Sequence, residues 1–382
     1  MRKRYAAQNL LFISTAIVLF AVTSCKKDKT ITKTVVTATP TKLGLYLESE
    51  HTDTATYREI FITVSQIGTQ TISSSYNDLV FDTGSGGMVI DAHGILPASM
   101  ITSTGFNFTG DSTVVDGITI TNQHGTISYG DDASSSATVS GNLCYATVTI
   151  GETDGNIIVK RLPFFMYYKA VDGNGHAYGT HEFDVFGANS EYDVTFANNA
   201  YITSPFSYFD PGTGLTKGFK MAVLDSANFS DANEVSITSN LVTLGLTAND
   251  LSSSSGFTIN PLSYDSLDGY APLISATFNY GGSNVDAAVL FDTGTDPYTY
   301  LEDPKAAKTV TQLPAGTTVK ISGTSDAAGF NYNYTITPTE NLTYLENPNT
   351  STVPVTIVGL NFFLTNEYLL DFADHKLGLK NN

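Results

Sequence analysis

"LVFDTGSGG" occupies residues 79–87 and "VLFDTGTDP" occupies residues 289–297. The same apolar-apolar-Phe-Asp-Thr-Gly phrase thus recurs 292 − 82 = 210 residues later. In each copy an apolar, strand-like run passes into a tight turn of small and hydroxyl-bearing residues. At average residue usage a given tripeptide turns up roughly once per several thousand positions. Two copies in matched contexts within 382 residues therefore call for a duplicated unit rather than two unrelated turns.

The rest of the chain agrees with a strand-rich body. It is 41% hydrophobic and only 15% charged, enough for one or two packed cores. With 32 Gly, 21 Tyr and 22 Phe and few apolar repeats of helical period, the reading is an all-β or mostly β protein. Strand-turn-strand patterns run from "REIFITVSQIGTQ" (58–70) through "GTISYGDDASSSATVSGNLCYATVTIGE" (125–152) and "NIIVKRLPFFMYYK" (156–169). They resume at "KGFKMAVLD" (217–225), "PLISATFNY" (272–280) and the C-terminal "PVTIVGLNFFLTNEYLLDFADHKLGL" (354–379). One short helix is expected in "EDPKAAKTVTQL" (302–313), with Asp303 as cap and Pro304 in the first turn.

The first residues read as an address. Arg2, Lys3 and Arg4 precede a 13-residue apolar run, too short to favour a membrane span, which ends in "VTSC". Small residues before a Cys resemble the lipobox of bacterial lipoproteins, which implies cleavage before Cys25 and acylation of its thiol. The expected layout is a signal peptide at 1–24, lipidated Cys25 with a Lys- and Thr-rich tether over 25–42, an N-terminal lobe at 43–217 and a C-terminal lobe at 218–382. Lys26 follows the Cys, where an Asp would resemble an inner-membrane retention signal. The expected location is the cell envelope, lipid-anchored on the outer membrane, with exposure at the cell surface as a further option.

Charge and cysteine content exclude several functions. Removal of residues 1–24 takes away three positive charges and no negative ones, so −18 becomes −18 − 3 = −21. Such a body is not expected to contact nucleic acid or anionic lipid as its main task. Beyond Cys25 only Cys144 remains, within an apolar strand, which allows no disulfide framework and no zinc spacing. "VDGNGH" (171–176) has the outline of a calcium loop, but without a bidentate Glu in register it reads as a surface turn. The six His residues show no metal-ligand spacing, and no metal or other cofactor is expected.

In this order the motifs resemble those of pepsin-like aspartic peptidases, over residues 57–380. "IFITVSQIGTQ" is similar to the family's first strand and turn. "LVFDTGS" and "VLFDTGT" match its two catalytic loops, and "ISYGDD" its flap hairpin with Tyr129. "FDVFG" (183–187) and "IVG" (357–359) match its apolar-apolar-Gly elements, and "IVGLNFFLTNEYLLDFADHKLGL" its C-terminal segment. The resemblance implies a bilobal fold of two pseudo-symmetric β lobes with few short helices. The chain also departs from the pattern. It has no Trp, although the family usually carries one shortly after the first DTG to hydrogen-bond the flap tyrosine. It reads DTGSGG for DTGSS, "GLNF" for the usual Gly-Asp, and Asp296 where a small uncharged residue is usual. Only the short tether precedes the domain, so no long inhibitory pro-segment is expected.

The resemblance implies peptide hydrolysis by an activated water. One carboxyl takes a proton from the water while the other polarises the carbonyl. Two carboxyls about 3 Å apart share one proton because both cannot readily ionise. Asp82 and Asp292 are the expected catalytic pair, one from each lobe. Thr83 and Thr293 are expected to bond across to the opposite loop, while Gly84 and Gly294 allow close backbone approach. Ser85 and Thr295 would orient the outer carboxylate oxygens. Tyr129, Gly130 and Asp131 would cover an extended polypeptide substrate. Asp296 reads either as a solvated turn residue or, as the sharper expectation, as a charge near the pair that raises its titration.

The primary functional expectation is a membrane-anchored, monomeric aspartic endopeptidase that cuts beside apolar side chains. Two others stay open: a catalytically inactive pepsin-like peptide-binding lipoprotein, and a surface β-protein for adhesion, in which the two Asp loops would lie far apart.

Overall fold

The strand Asp78–Asp82 buries Leu79, Phe81 and Asp82, and Gly86–Asp91 is buried along its whole length. These two strands flank the Asp82 loop without pairing to each other, because Val185–Ala188 lies between them. It runs parallel to the first, with Phe81 opposite Phe186 and Asp82 opposite Gly187, and antiparallel to the second, with Gly187 opposite Gly87. A strand paired on both edges and covered on both faces needs an uninterrupted apolar run, and "VFGA" is all buried. The second half repeats the device. Ser283–Phe291 runs parallel to Val355–Val358, with Phe291 opposite Val358, and Ile357 pairs antiparallel with Tyr300 of Tyr298–Glu302.

A glycine near the end of each inserted strand, Gly187 within the first and Gly359 just after the second, is required by space. A Cβ on Gly187 would lie 2.7 Å from the Gly87 carbonyl oxygen, and one on Gly359 would lie 2.4 Å from the carbonyl oxygens of both Thr295 and Tyr298. Neither backbone can yield without moving the loop it supports.

The computed structural model describes residues 37–381 apart from 75–76, 131–135, 153 and 349–352. The chain divides into Met1–Val35 and Val36–Asn382, and the described residues fall in the second unit. Cys25, the targeting segment and Asp131 lie outside them. The described body is all-β and bilobal, as expected. One large sheet runs through the first half and continues into Thr41–His51, Ile237–Leu246, Thr216–Met221, Asn366–Asp371, Lys376–Asn381 and Thr258–Pro261. Both halves of the chain build that last portion. A second, eight-stranded sheet holds the strands of the second half from Ile274–Tyr280 to Val355–Val358.

The Phe before each Asp anchors an aromatic core. Phe81 meets Phe186, Phe206 and Phe219 at centroid distances of 6.0, 6.1 and 6.2 Å. Phe291 meets Phe362 at 4.2 Å and Phe330 at 5.7 Å. Each Asp loop therefore leaves a rigidly packed strand. Cys144 is buried, and burial holds its thiol far above its ordinary pKa.

The helix expected over 302–313 is absent, and among the described residues the only helical elements are short 3₁₀ turns. Asp303 does cap a turn, accepting from the Lys305 N–H at 2.7 Å. Its other oxygen accepts from the Tyr280 hydroxyl at 2.5 Å, and the Asp303 N–H is bonded to the Glu346 carbonyl. These contacts fix the cap to the sheet, and the chain then enters the strand Thr311–Gln312. Tertiary pairing overrides local helix preference here.

Phe362 is fully buried among Phe291, Phe330, Tyr332 and Phe363. Phe362→Ala should cost about 3–5 kcal/mol of stability, read as a lower urea midpoint with an unchanged slope.

Candidate active site

The two Asp loops are joined by four hydrogen bonds between their threonines and the opposite backbone. Thr83 Oγ1 donates to the Phe291 carbonyl at 2.8 Å and accepts from the Thr293 N–H at 3.0 Å. Thr293 Oγ1 donates to the Phe81 carbonyl at 2.6 Å and accepts from the Thr83 N–H at 3.0 Å. Both threonines are buried. Each hydroxyl thus uses its proton and one lone pair to satisfy backbone groups of the other lobe.

Asp82 and Asp292 stand on this cross-link and approach closely: a Cβ on Gly294 would lie 2.9 Å from the Asp82 carboxyl carbon and 3.3 Å from Asp292 Oδ1. In each loop the backbone and a hydroxyl hold the carboxylate from the same two directions. Gly84 N–H donates to Asp82 Oδ1 at 2.6 Å and Ser85 Oγ to Oδ2 at 2.5 Å. Gly294 N–H donates to Asp292 Oδ1 at 2.7 Å and Thr295 Oγ1 to Oδ2 at 2.5 Å. A Cβ on Gly84 would sit 2.4 Å from the Asp292 carboxyl carbon, so the close approach requires glycine. Burial, then the charge and hydrogen bond of Asp82, push Asp292 well above the usual carboxylate range, while Thr295 and Gly294 oppose the shift. A carboxyl pair so placed retains a proton where separate carboxylates would have lost theirs.

Asp296 is bound to the backbone of the second strand. Its Oδ2 accepts from the Arg58 N–H at 2.5 Å, and its nearest charged neighbours are Arg58, Glu59 and Glu340. The Arg58 guanidinium bonds Glu340 at 2.6 Å and Asn361 at 3.0 Å. Residues of the first strands and of the C-terminal half are therefore tied together at this point. Burial pushes Asp296 up to about 7, against the lowering effect of Arg58. The influences on Asp292 come instead from Asp82, Thr295 and Gly294.

Tyr129 ends the strand Ile118–Tyr129 opposite Ala137, and Gly130 follows it in the left-handed region at φ 75°. The Tyr129 hydroxyl donates to Asp193 Oδ2 at 3.0 Å, and its ring packs against Phe183 at 5.2 Å. Sequence reasoning missed Asp193 and Glu191, yet both lie close enough to Asp82 for its charge to act on them. Burial pushes each carboxyl to about 7. The Tyr129 hydrogen bond opposes the shift at Asp193, and Asn189 opposes it at Glu191. The signal available was indirect: a tyrosine with no Trp in the chain to receive it, and "EYD" (191–193) soon after "VFG".

Two histidines that spacing left without a role brace the inserted strand. His181 Nδ1 and the Tyr167 hydroxyl meet the Asp184 carboxylate at 2.6 and 2.9 Å, and His93 Nδ1 lies 2.6 Å from Asp91. The Asp91 N–H donates to Asp184 at 2.8 Å, which links this network to the strand after the first loop. At "VDGNGH", Asp172 accepts from the backbone N–H groups of Asn174 and His176, closing a local turn.

Architecture and loop geometry together define the bilobal β fold of pepsin-like aspartic proteinases. Among solved structures the chain is similar to an aspartic proteinase from Irpex lacteus, with a TM-score of 0.54 and 16% identity over 90% of this chain and 98% of that one. No protein-family model and no curated protein matches the chain. The two Asp loops, which the adhesion expectation placed far apart, are joined by the threonine hydrogen bonds.

Thr293→Val removes one donor and one acceptor from the cross-link and leaves a buried N–H and carbonyl without partners. Each orphaned group should cost about 1–3 kcal/mol, measured by chemical denaturation. For Asp296, the folded pKa of about 7 exceeds the ordinary value of 3.8, so the stability tied to its proton is present at low pH. That stability is lost as pH rises through the folded value. The wild type should therefore lose stability relative to Asp296→Asn between about pH 4 and pH 8, as followed by melting temperature across pH.

Proposed function

We propose that the chain is an aspartic-type endopeptidase that hydrolyses polypeptides with a water activated by Asp82 and Asp292. The reading includes the sequence-based expectation of a monomeric body held to the outer membrane through acylated Cys25. The observation that carries it is the close approach of the two buried carboxyls on the Thr83–Thr293 cross-link.

The chemistry follows from that arrangement. The pair holds one proton between two buried carboxyls. The ionised oxygen accepts a proton from the water as it attacks the scissile carbonyl carbon. The protonated carboxyl donates to the carbonyl oxygen, which becomes a hydroxyl of the tetrahedral intermediate. On collapse the C–N bond breaks, the carboxyl that took the water's proton gives it to the leaving amine, and the other takes the hydroxyl proton back. Ser85, Thr295 and the N–H groups of Gly84 and Gly294 fix both carboxylates, so little reorganisation is needed as charge moves. The hairpin bearing Tyr129 supplies the edge along which an extended peptide pairs.

Digestion of casein across about pH 3–7, with and without a pepstatin-like inhibitor, tests the proposal. Inhibitor-sensitive cleavage is expected. Asp82→Asn and Asp292→Asn should each lower turnover by about 10²–10⁴-fold or more, with a melting temperature near that of the wild type. Saturable peptide binding without cleavage would replace this reading with that of an inactive peptide-binding lipoprotein.

A further inference from the structure

The hydrogen bond between Tyr129 and Asp193 has a polarity that depends on the state of the acid. A phenol has one proton to donate and lone pairs to accept with. An ionised carboxylate only accepts, whereas a neutral carboxylic acid also donates. At 3.0 Å, ionised Asp193 claims the one Tyr129 proton. The cluster around Tyr129 includes Val89, Phe165 and Val185, and the hydroxyl of its Tyr167 is taken up by Asp184 at 2.9 Å. The groups facing Asp193 are Tyr129 from the hairpin, Asp82 from the first loop and Glu191 from its own segment. Those facing Tyr129 are Asp193, Asp82 and Tyr167. None of these groups is a cation, so nothing among them stabilises ionised Asp193 except the phenol itself.

We propose that Asp193 is a positioning residue that sets the direction of the Tyr129 hydroxyl toward the cleft. Neutral Asp193 donates to Tyr129 Oη, and the phenolic proton is free to point toward Asp82 and a bound peptide. Ionised Asp193 takes that proton in a hydrogen bond and leaves Tyr129 only an acceptor for the cleft. The step exchanges one proton between Asp193 and solvent, and Tyr129 keeps its own throughout. Burial and the neighbouring Asp82 and Glu191 hold Asp193 at about 7, so the neutral arrangement prevails in acid and fades above neutrality. This places an alkaline limit on cleavage separate from that of the Asp82–Asp292 pair. It also gives Tyr129 the partner that the chain's lack of Trp denies it.

The kinetic arm of the test rests on the peptidase reading, while the spectroscopic arm does not. In the full chain labelled with ¹³C-tyrosine, the Tyr129 ring resonance, assigned by its absence in Tyr129→Phe, should move with pH through about 7. In Asp193→Asn, whose amide does not ionise, that resonance should stay fixed. The alkaline limb of kcat/KM should rise by about one pH unit or more in Asp193→Asn. Adding Asp193→Asn to Tyr129→Phe should leave the profile of the single variant Tyr129→Phe unmoved. A Tyr129 resonance unresponsive between about pH 5 and pH 9 in the wild type overturns the proposal, and that arm needs no variant that must fold. An unchanged alkaline limb in Asp193→Asn overturns it as well. A wild type that cleaves nothing, but whose Tyr129 titrates and ceases to titrate in Asp193→Asn, would remove the peptidase reading and support this inference.

Discussion

Two threonine hydroxyls hold the centre of this molecule together. Thr83 and Thr293 each donate to a carbonyl and accept from an N–H of the opposite loop, in a place where water is excluded. An unpaired backbone group there costs more than a typical hydrogen bond contributes. The lobes are therefore locked at the position where Asp82 and Asp292 must meet. The inserted strands Val185–Ala188 and Val355–Val358 hold each loop open beneath that lock. Gly187 and Gly359 follow from the same constraint, since any side chain there would push the loop off its support.

Around this centre the cleft is densely acidic. The charge of Asp82 acts on Asp292, Glu191 and Asp193, and burial raises all three. Four ionised carboxylates in so dry a place would repel strongly. The arrangement is consistent with a protein whose overall charge is −18 and whose cleft retains protons. Arg58, the arginine bonded beside the second loop, is occupied by Glu340, Asn361 and the Asp296 segment and does not neutralise the pair.

The fold was legible because its decisive elements are local and repeated. Phe-Asp-Thr-Gly twice, each followed much later by an apolar strand ending in glycine, is enough to write down two lobes and their meeting point. The Ser85 and Thr295 contacts were also legible, since a hydroxyl three residues after each Asp can reach back to it. Asp193 was not, because its approach to Tyr129 depends on how one segment crosses beneath a distant hairpin, and no spacing encodes that. The destination of Asp296 was hidden for a related reason: its position beside the loop says nothing of which way its side chain turns. The missing helix at 302–313 shows the same limit, since Asp303 is held by Tyr280 and the Glu346 carbonyl rather than by helical neighbours.

The second inserted strand, Val355–Val358, has a consequence for the order of events at the ribosome. A chain is made from its N-terminus, so Asp292 emerges well before the segment that props its loop, and the strands Asn366–Asp371 and Lys376–Asn381 come later still. A nascent polypeptide, or one cut short before residue 355, therefore carries both acids without the support that brings them face to face. The loop that carries Asp292 thus waits for a strand made about sixty residues after it before it is propped beside the first.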